Sequence, residues 1–281
     1  MERKEFKSFL KTVGGNEGSH CHYPTRLDTY GCGCQHDCSY CYAKSLLDFR
    51  GLWDAHNPSV ADIDKIRRKI ARLEKGSIIR LGGMTDCFMP LEKTERVTLE
   101  TIKALNERGV GYLIVTKSAI IADDEYMQAM DKNLAHIQIT VTCFDDDLYK
   151  RLDYEKASLP SDRIKAIEKL QAAGFDVQLR LSPFIPEFVD YDVLNSIKCD
   201  KILVEFLRIN SWIKKWFDIS YSQYTIKSGG YLHMPLELKQ EYLKKITGFK
   251  EVTVCEDEDV AYQFWQEHFN PNPNDCCNLR K

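Results

Sequence analysis

Short apolar runs alternate with amphipathic segments along the chain. The runs Leu27–Tyr30, Ile78–Leu81, Tyr112–Thr116, Ile137–Thr142, Val177–Leu181 and Ile202–Phe206 have the length of strands, and a further one lies at Val252–Cys255. Between them apolar residues recur at helical spacing. Ile63, Ile66, Ile70 and Leu73 mark a helix within Asp62–Gly76, and Leu99, Ile102 and Leu105 mark one within Thr94–Gly109. Ile164, Ile167 and Leu170 mark a third, between an N-cap at Ser161 and a stop at Gly174.

This alternation predicts an α/β fold of right-handed βαβ units with a mainly parallel sheet. About six units predict a partial (β/α)6 TIM-type barrel with a short C-terminal capping extension; a doubly wound open sheet is the alternative. The boundaries fall at 1–24 for an N-terminal extension, 25–210 for the barrel and 211–281 for a helical or capping region. Both folds place sites at the C-terminal ends of their strands. Polar residues collect there: Gly82 to Asp86, Thr116 to Ser118, Thr140 and Thr142, Arg180 to Ser182, and Glu205. Five such ends in succession predict one shared mouth.

Composition narrows the setting. The chain has 281 residues, 43% of them hydrophobic, enough to bury roughly 70–75% of the unfolded surface without disulfide staples. Yet it carries 11 cysteines. The start, Met1 to Glu5, is charged and lacks an apolar core segment, so no signal peptide is expected. No apolar run is long enough to cross a bilayer. The expected setting is cytoplasmic, where reduced thiols bind metal, act in chemistry or fill core. A secreted disulfide scaffold, a membrane protein and a disordered chain are excluded. A net charge of −3 is not that of a strongly basic nucleic-acid binder, although a local basic groove remains allowed.

Four of the cysteines, Cys32, Cys34, Cys38 and Cys41, fall within ten residues, after the first strand and before a helix. The spacing Cys34-x3-Cys38-x2-Cys41 supplies three thiolates from one loop. Three thiolates leave one iron of a [4Fe–4S] cube without a protein ligand, free to take an outside amine and carboxylate. A zinc knuckle that also uses Cys32 is the alternative, but closed zinc sites usually draw on two separated ligand pairs.

The same string, with Tyr40 just before the last cysteine, resembles the radical S-adenosylmethionine (SAM) superfamily. Tyr30-Gly31-Cys32 followed by Cys38-Ser39-Tyr40-Cys41-Tyr42-Ala43 resembles the branch containing spore photoproduct lyase and its photolyase-like relatives. Thr85-Asp86-Cys87-Phe88-Met89-Pro90-Leu91-Glu92 is similar to that branch's Thr-Asp segment. Thr116-Lys117-Ser118, Thr140-Val141-Thr142 and Arg180 to Pro186 match its later strand ends in order.

The resemblance implies an enzyme with a [4Fe–4S] cluster held by Cys34, Cys38 and Cys41. SAM chelates the open iron. One electron, from a flavodoxin- or ferredoxin-like donor, cleaves SAM to a 5′-deoxyadenosyl radical that takes hydrogen from a substrate. The implied cofactor residues are Tyr40 near adenine, Gly82 and Gly83 beneath the methionyl group, and Thr85 and Asp86 at the SAM amine or the substrate. Lys117 and Arg180 are candidates for the carboxylate or ribose, with ion-paired side chains as the alternative. Thr142 and Ser182 complete the set. The branch uses a cysteine before its Thr-Asp segment as a hydrogen-atom donor; that place is held here by Gly83 and Met84. Cys87 is therefore a candidate radical quencher only by proximity, and a structural thiol is the alternative.

Cys255, Cys276 and Cys277 admit two readings: a second Fe–S or metal site, or reduced thiols in a turn-rich capping tail. His20-Cys21-His22 reads as a loop or a metal site; Cys32, Cys143 and Cys199 read as filler. The resemblance suggests a nucleic-acid base or nucleotide as substrate, in modification or repair of DNA or RNA. Tyr42, Phe88, Phe184, Phe188, Trp212 and Trp216 are the aromatics available to stack on a base, and Lys214-Lys215-Trp216 mixes cation and ring. The basic helix from Lys65 to Lys75 reads as a solvated outer face. A peptide or small metabolite is the alternative substrate. A non-enzymatic Fe–S or zinc protein that binds nucleic acid is the alternative of another class.

Overall fold

The computed structural model of the protein describes residues 6, 8–150, 156–273 and 275–279. The charged segment Met1 to Glu5 lies outside the described residues. Eight strands form one open sheet whose spatial order is the order of the chain. They are β1 (Leu10–Thr12), β2 (Thr25–Leu27), β3 (Ile78–Leu81), β4 (Gly111–Thr116), β5 (Ala135–Thr140), β6 (Asp176–Phe184), β7 (Lys201–Phe206) and β8 (Glu251–Val254). Only β1 runs antiparallel to its neighbour. From β2 to β8 each strand pairs in parallel with the next, as in Leu81 beside Ile114 and Ile137 beside Val177. The architecture is that of a partial barrel, with β8 drawn from the stretch 211–281.

Strands buried on both faces need near-continuous apolar content. Every residue of β5 is buried, and Leu179, Leu181, Ile202, Leu203 and Val204 carry the core through β6 and β7. Polar positions inside the sheet are satisfied by one another. Gln138 Nε2 donates to Gln178 Oε1 at 2.8 Å, and Gln178 Nε2 donates to Thr253 Oγ1 at 3.3 Å. The chain of amides thus crosses from β5 to β8, since a buried amide left unpaired is costly.

Three helical expectations need correction. The first helix is shorter, Ile63–Ile70, capped by the Asp62 carboxylate on the Lys65 N–H. Ile66 and Ile70 face the core while Lys65, Arg67, Arg68 and Lys69 are exposed, which is the solvated face expected. The second breaks into Glu92–Glu95 and Val97–Arg108, because Arg96 takes φ 57°. The break lets the fully buried Glu92 carboxylate accept from the N–H groups of Thr98 and Leu99 at 2.9 and 3.0 Å and from the Tyr126 hydroxyl at 2.8 Å. Tyr30 also donates to it, tying the first loop to this helix. The third helix starts at Pro160, and Ser161 is not its cap. Ser161 instead gives its N–H and hydroxyl to Asp146 at 3.0 and 2.6 Å.

Candidate functional site

The C-terminal ends of the parallel strands open on one cavity. The loop after β2 brings three thiols to its wall. Asp37 N–H donates to the Cys34 carbonyl at 3.0 Å, Cys41 N–H to the Cys38 carbonyl at 3.1 Å, and Ser45 N–H to the Cys41 carbonyl at 3.2 Å. These successive turns hold Cys34, Cys38 and Cys41 in one short loop, and all three line the cavity. Gly33 is required: at φ 146°, a Cβ would meet the Asp54 carbonyl oxygen at 1.9 Å. Cys32 points elsewhere, with φ 54° and its carbonyl accepting from Asp54 N–H at 2.8 Å.

The donor set fits a metal that takes soft ligands. Burial pushes the Cys34 and Cys41 thiols up, and pushes Cys38 up to about 11 against the pull of the Lys117 ammonium. Such thiols stay protonated at neutral pH until a cation displaces the proton. Lys117 also lies 5.7 Å from the centre of the Tyr40 ring, beside the same loop. His36 Nε2 is buried there without a hydrogen-bond partner.

Two carboxylates hold the opposite wall. Asp28, just past β2, accepts from the N–H groups of Gly83 and Met84 at 2.6 and 2.9 Å, with Thr85 N–H at 3.4 Å. The turn after β3 is thereby pinned with its backbone against the cavity. Gly82 has φ 80°, and a Cβ on Gly83 would meet Arg26 Cδ at 2.7 Å, so neither position takes another residue easily. Asp86 accepts from Phe88 N–H at 2.8 Å, Thr116 Oγ1 at 2.7 Å and Lys117 N–H at 2.6 Å. His36 Nδ1 sits 3.3 Å away. Burial alone would raise the Asp86 carboxyl; His36 and these donors outweigh it and hold it down at about 2.

Sequence-picked residues separate here. Tyr40, Gly82, Gly83, Thr85, Asp86, Lys117, Arg180 and Ser182 line the same cavity as the three thiols. Thr85 has already spent its hydroxyl on the Tyr30 carbonyl at 2.6 Å. Thr142 stands one step back, its hydroxyl 3.2 Å from the Tyr40 hydroxyl. Cys87 is fully buried and does not line the cavity; its carbonyl accepts from Thr98. Arg180 is ion-paired with Glu205 and donates to Gln138 Oε1 at 2.7 Å. Ser182 Oγ donates to the same Glu205 oxygen at 2.7 Å. Among the stacking candidates, Phe88 and Phe184 are buried in the core, while Trp212 is 36% exposed and Tyr42 lines the cavity. His20 stacks on Tyr262, and of the segment His20 to His22 the cavity takes His20 and Cys21.

Asp28, behind the wall, and His36, on it, carry no signal of a site in the sequence, while Glu205 is placed at the mouth by its strand end but without a role. Asp28 and Glu205 sit at strand ends like the residues picked, and His36 lies inside the cysteine string. Each acts through a neighbour, a role that carries no motif.

Residues 29–198 match the family model of the Radical SAM superfamily. An uncharacterized protein of Methanocaldococcus jannaschii is 27% identical over 170 residues, covering 58% of this chain and 61% of its own. An uncharacterized protein of Mycobacterium tuberculosis is 26% identical over 169 residues, covering 56% of this chain and 49% of its own. The match thus spans 61% and 49% of the length of these two curated relatives. Among solved structures, spore photoproduct lyase complexed with dinucleoside spore photoproduct superposes with a TM-score of 0.62 at 14% identity, over 88% of this chain and 81% of that one. A doubly substituted spore photoproduct lyase with bound AdoMet and the same ligand gives 0.58 at 14% identity, over 84% and 82%. At this identity the likeness is one of fold.

The Glu205 carboxyl gives a pH prediction. Burial raises it, but the Arg180 and Arg208 guanidiniums outweigh that and hold it down at about 2. A depressed carboxyl stabilises the fold above its unfolded pKa, and that stability is lost as pH falls through the folded value. Glu205→Gln is expected to cost about 2 kcal/mol at pH 7, held to that size because the side chain is 28% exposed. Urea unfolding at a series of pH values should show the difference from wild type shrinking between about pH 4.5 and pH 2. A difference constant over that range contradicts the ion pair's role.

Proposed function

The chain belongs to the radical SAM superfamily, and we propose that it is a radical SAM enzyme whose [4Fe–4S] cluster is held by Cys34, Cys38 and Cys41. The observation that carries this reading is that three thiols of one loop, Cys34 and Cys38 buried and Cys41 half-buried, line the cavity that the Gly82–Asp86 turn also lines. When bound there, cluster and SAM together supply a 5′-deoxyadenosyl radical for hydrogen abstraction. The chain's own residues do the rest. Asp28 sets the backbone of Gly82 to Thr85, where the methionyl end of SAM would rest. Asp86 and His36 brace the cysteine loop against β4. Lys117, beside Tyr40, offers a cation to the SAM carboxylate. Glu205 holds Arg180 and Ser182 at the far side. A flavodoxin- or ferredoxin-like protein would deliver the electron.

We read the substrate as a nucleic-acid base or nucleotide. Spore photoproduct lyase, whose fold this chain shares, is complexed with a dinucleoside ligand. Arg26, Arg80 and Lys117 bring cations to the cavity, where Arg180 and Arg208 are paired with Glu205 and Asp257. Beyond it, Trp212 and Trp216 lie 5.7 Å apart, with Lys215 over one ring and Lys44 over the other. The exposed Trp212 and half-buried Trp216, with cations beside them, suit a single strand. Cys87, walled off in the core, is better suited to packing than to quenching a radical in the cavity.

Anaerobic protein, chemically reduced, is expected to convert SAM to 5′-deoxyadenosine. Cys34→Ala, Cys38→Ala and Cys41→Ala should each abolish that conversion, whereas Cys32→Ala should keep both iron and activity. Loss of iron in the Cys32 variant would overturn this ligand set. A separate assay addresses the substrate. Single-stranded oligonucleotides should raise the yield of 5′-deoxyadenosine and bind less tightly as salt increases. No response to any oligonucleotide, together with stimulation by peptides or small metabolites, would overturn the nucleic-acid reading.

A further inference from the structure

The cavity has a second set of cysteines. Cys21, Cys255, Cys276 and Cys277 line it together with Arg80 and Arg180. They come from three distant parts of the chain: the segment before β2, the residue after β8, and the C-terminal tail. Cys255 and Cys276 pack against the same small apolar cluster to which Cys277 belongs. Cys21 packs in the same small cluster, against Tyr23, Leu113, Leu203 and Leu279. All four are free thiols.

Bonds that involve no cysteine side chain place these thiols. Tyr23 donates to Asp275 at 2.8 Å, and Lys201 Nζ donates to the Asn278 carbonyl at 2.9 Å, fixing the tail on either side of Cys276 and Cys277. Asn270 mimics a strand partner, accepting from Val254 N–H at 2.8 Å and donating to its carbonyl at 2.9 Å. The tail is therefore held with two adjacent thiols turned into a cavity that already contains two others. Cys21, Cys255 and Cys276 are only half-buried and all four face the cavity, which is not the setting of core filler.

We propose that Cys21, Cys255, Cys276 and Cys277 ligate a second iron–sulfur cluster, on the same cavity as the first. Four thiolates complete the coordination of a cube, so this cluster has no open iron and would not bind SAM. Arg80 and Arg180 line the cavity beside these thiols. A cluster suits the spread of the ligands better than a lone zinc ion. Two thiolates on one zinc lie within about 4.6 Å of each other, twice the Zn–S bond. Among the described residues, the one group of three such ligand atoms within 4.8 Å of one another is His233, Glu256 and Asp257. Neither cysteine set is drawn in around a single ion. In this arrangement the cluster joins the N-terminal segment, β8 and the tail.

Iron and acid-labile sulfide, counted after anaerobic reconstitution with ferrous iron and sulfide, test this without reference to turnover. The wild-type chain is expected to hold about eight iron and eight sulfide. Cys276→Ser with Cys277→Ser should leave about four, and these should support SAM cleavage if the first loop acts as proposed. Cys34→Ala, Cys38→Ala and Cys41→Ala combined should also leave about four, without SAM cleavage. Circular dichroism checks that each variant folds. A wild-type count of about four, unchanged by the tail substitutions, would overturn the second cluster while leaving the first intact. One zinc per chain, lost with the tail thiols, would overturn it too.

Discussion

Asp86 is the point at which the mouth of the barrel is assembled. Its two oxygens accept from its own turn through Phe88, from the end of β4 through Thr116 and Lys117, and lie beside His36 in the cysteine loop. A buried carboxylate is costly unless its lone pairs are filled and a cation is near. Here the lone pairs are filled from the turn itself and from the end of β4, with the His36 ring beside them, groups that otherwise have no reason to meet. The need to satisfy one charge brings the loop after β2, the turn after β3 and the end of β4 to a common position. Asp28 does the same for the Gly82–Thr85 backbone, which only glycine at 82 and 83 allows to come so close.

The far side of the mouth follows the same rule. Arg180 and Glu205 neutralise each other, and Ser182, Gln138, Gln178 and Thr253 extend that pair into a network across β5 to β8. The cavity is therefore lined by groups already fixed before any cofactor enters. Such preorganisation is what radical chemistry requires of a protein: the cofactor does the hard step, while the scaffold positions it and keeps water out.

The strands were legible because parallel strands buried on both faces must be continuously apolar, and Ile78–Leu81 was read to the residue. The cysteine loop was legible because three thiols at that spacing have few uses in a reduced setting. Helix ends were less so. Nothing local announces that Glu92 will reach the N–H groups of Thr98 and Leu99, or that Asp146 will take the bonds of Ser161. The same limit applied to Asp28, His36 and Glu205, whose partners are up to dozens of residues away. Conversely, Lys117 and Arg180 were picked for their charge, and folding placed one beside Tyr40 and committed the other to Glu205. Cys87 shows how proximity in sequence can mislead: one residue past Asp86, its side chain turns into the core.

The central claim is that the three-thiol loop presents a cluster with one open iron to SAM in this cavity. Electron paramagnetic resonance of the reduced, reconstituted protein tests it most directly. The account predicts a SAM-responsive [4Fe–4S] signal, whose g values change when SAM is added and which is lost when Cys34, Cys38 and Cys41 are replaced, whatever signal a second cluster leaves. A spectrum in which no component responds to SAM, or a SAM-responsive component that survives loss of all three thiols, would contradict it.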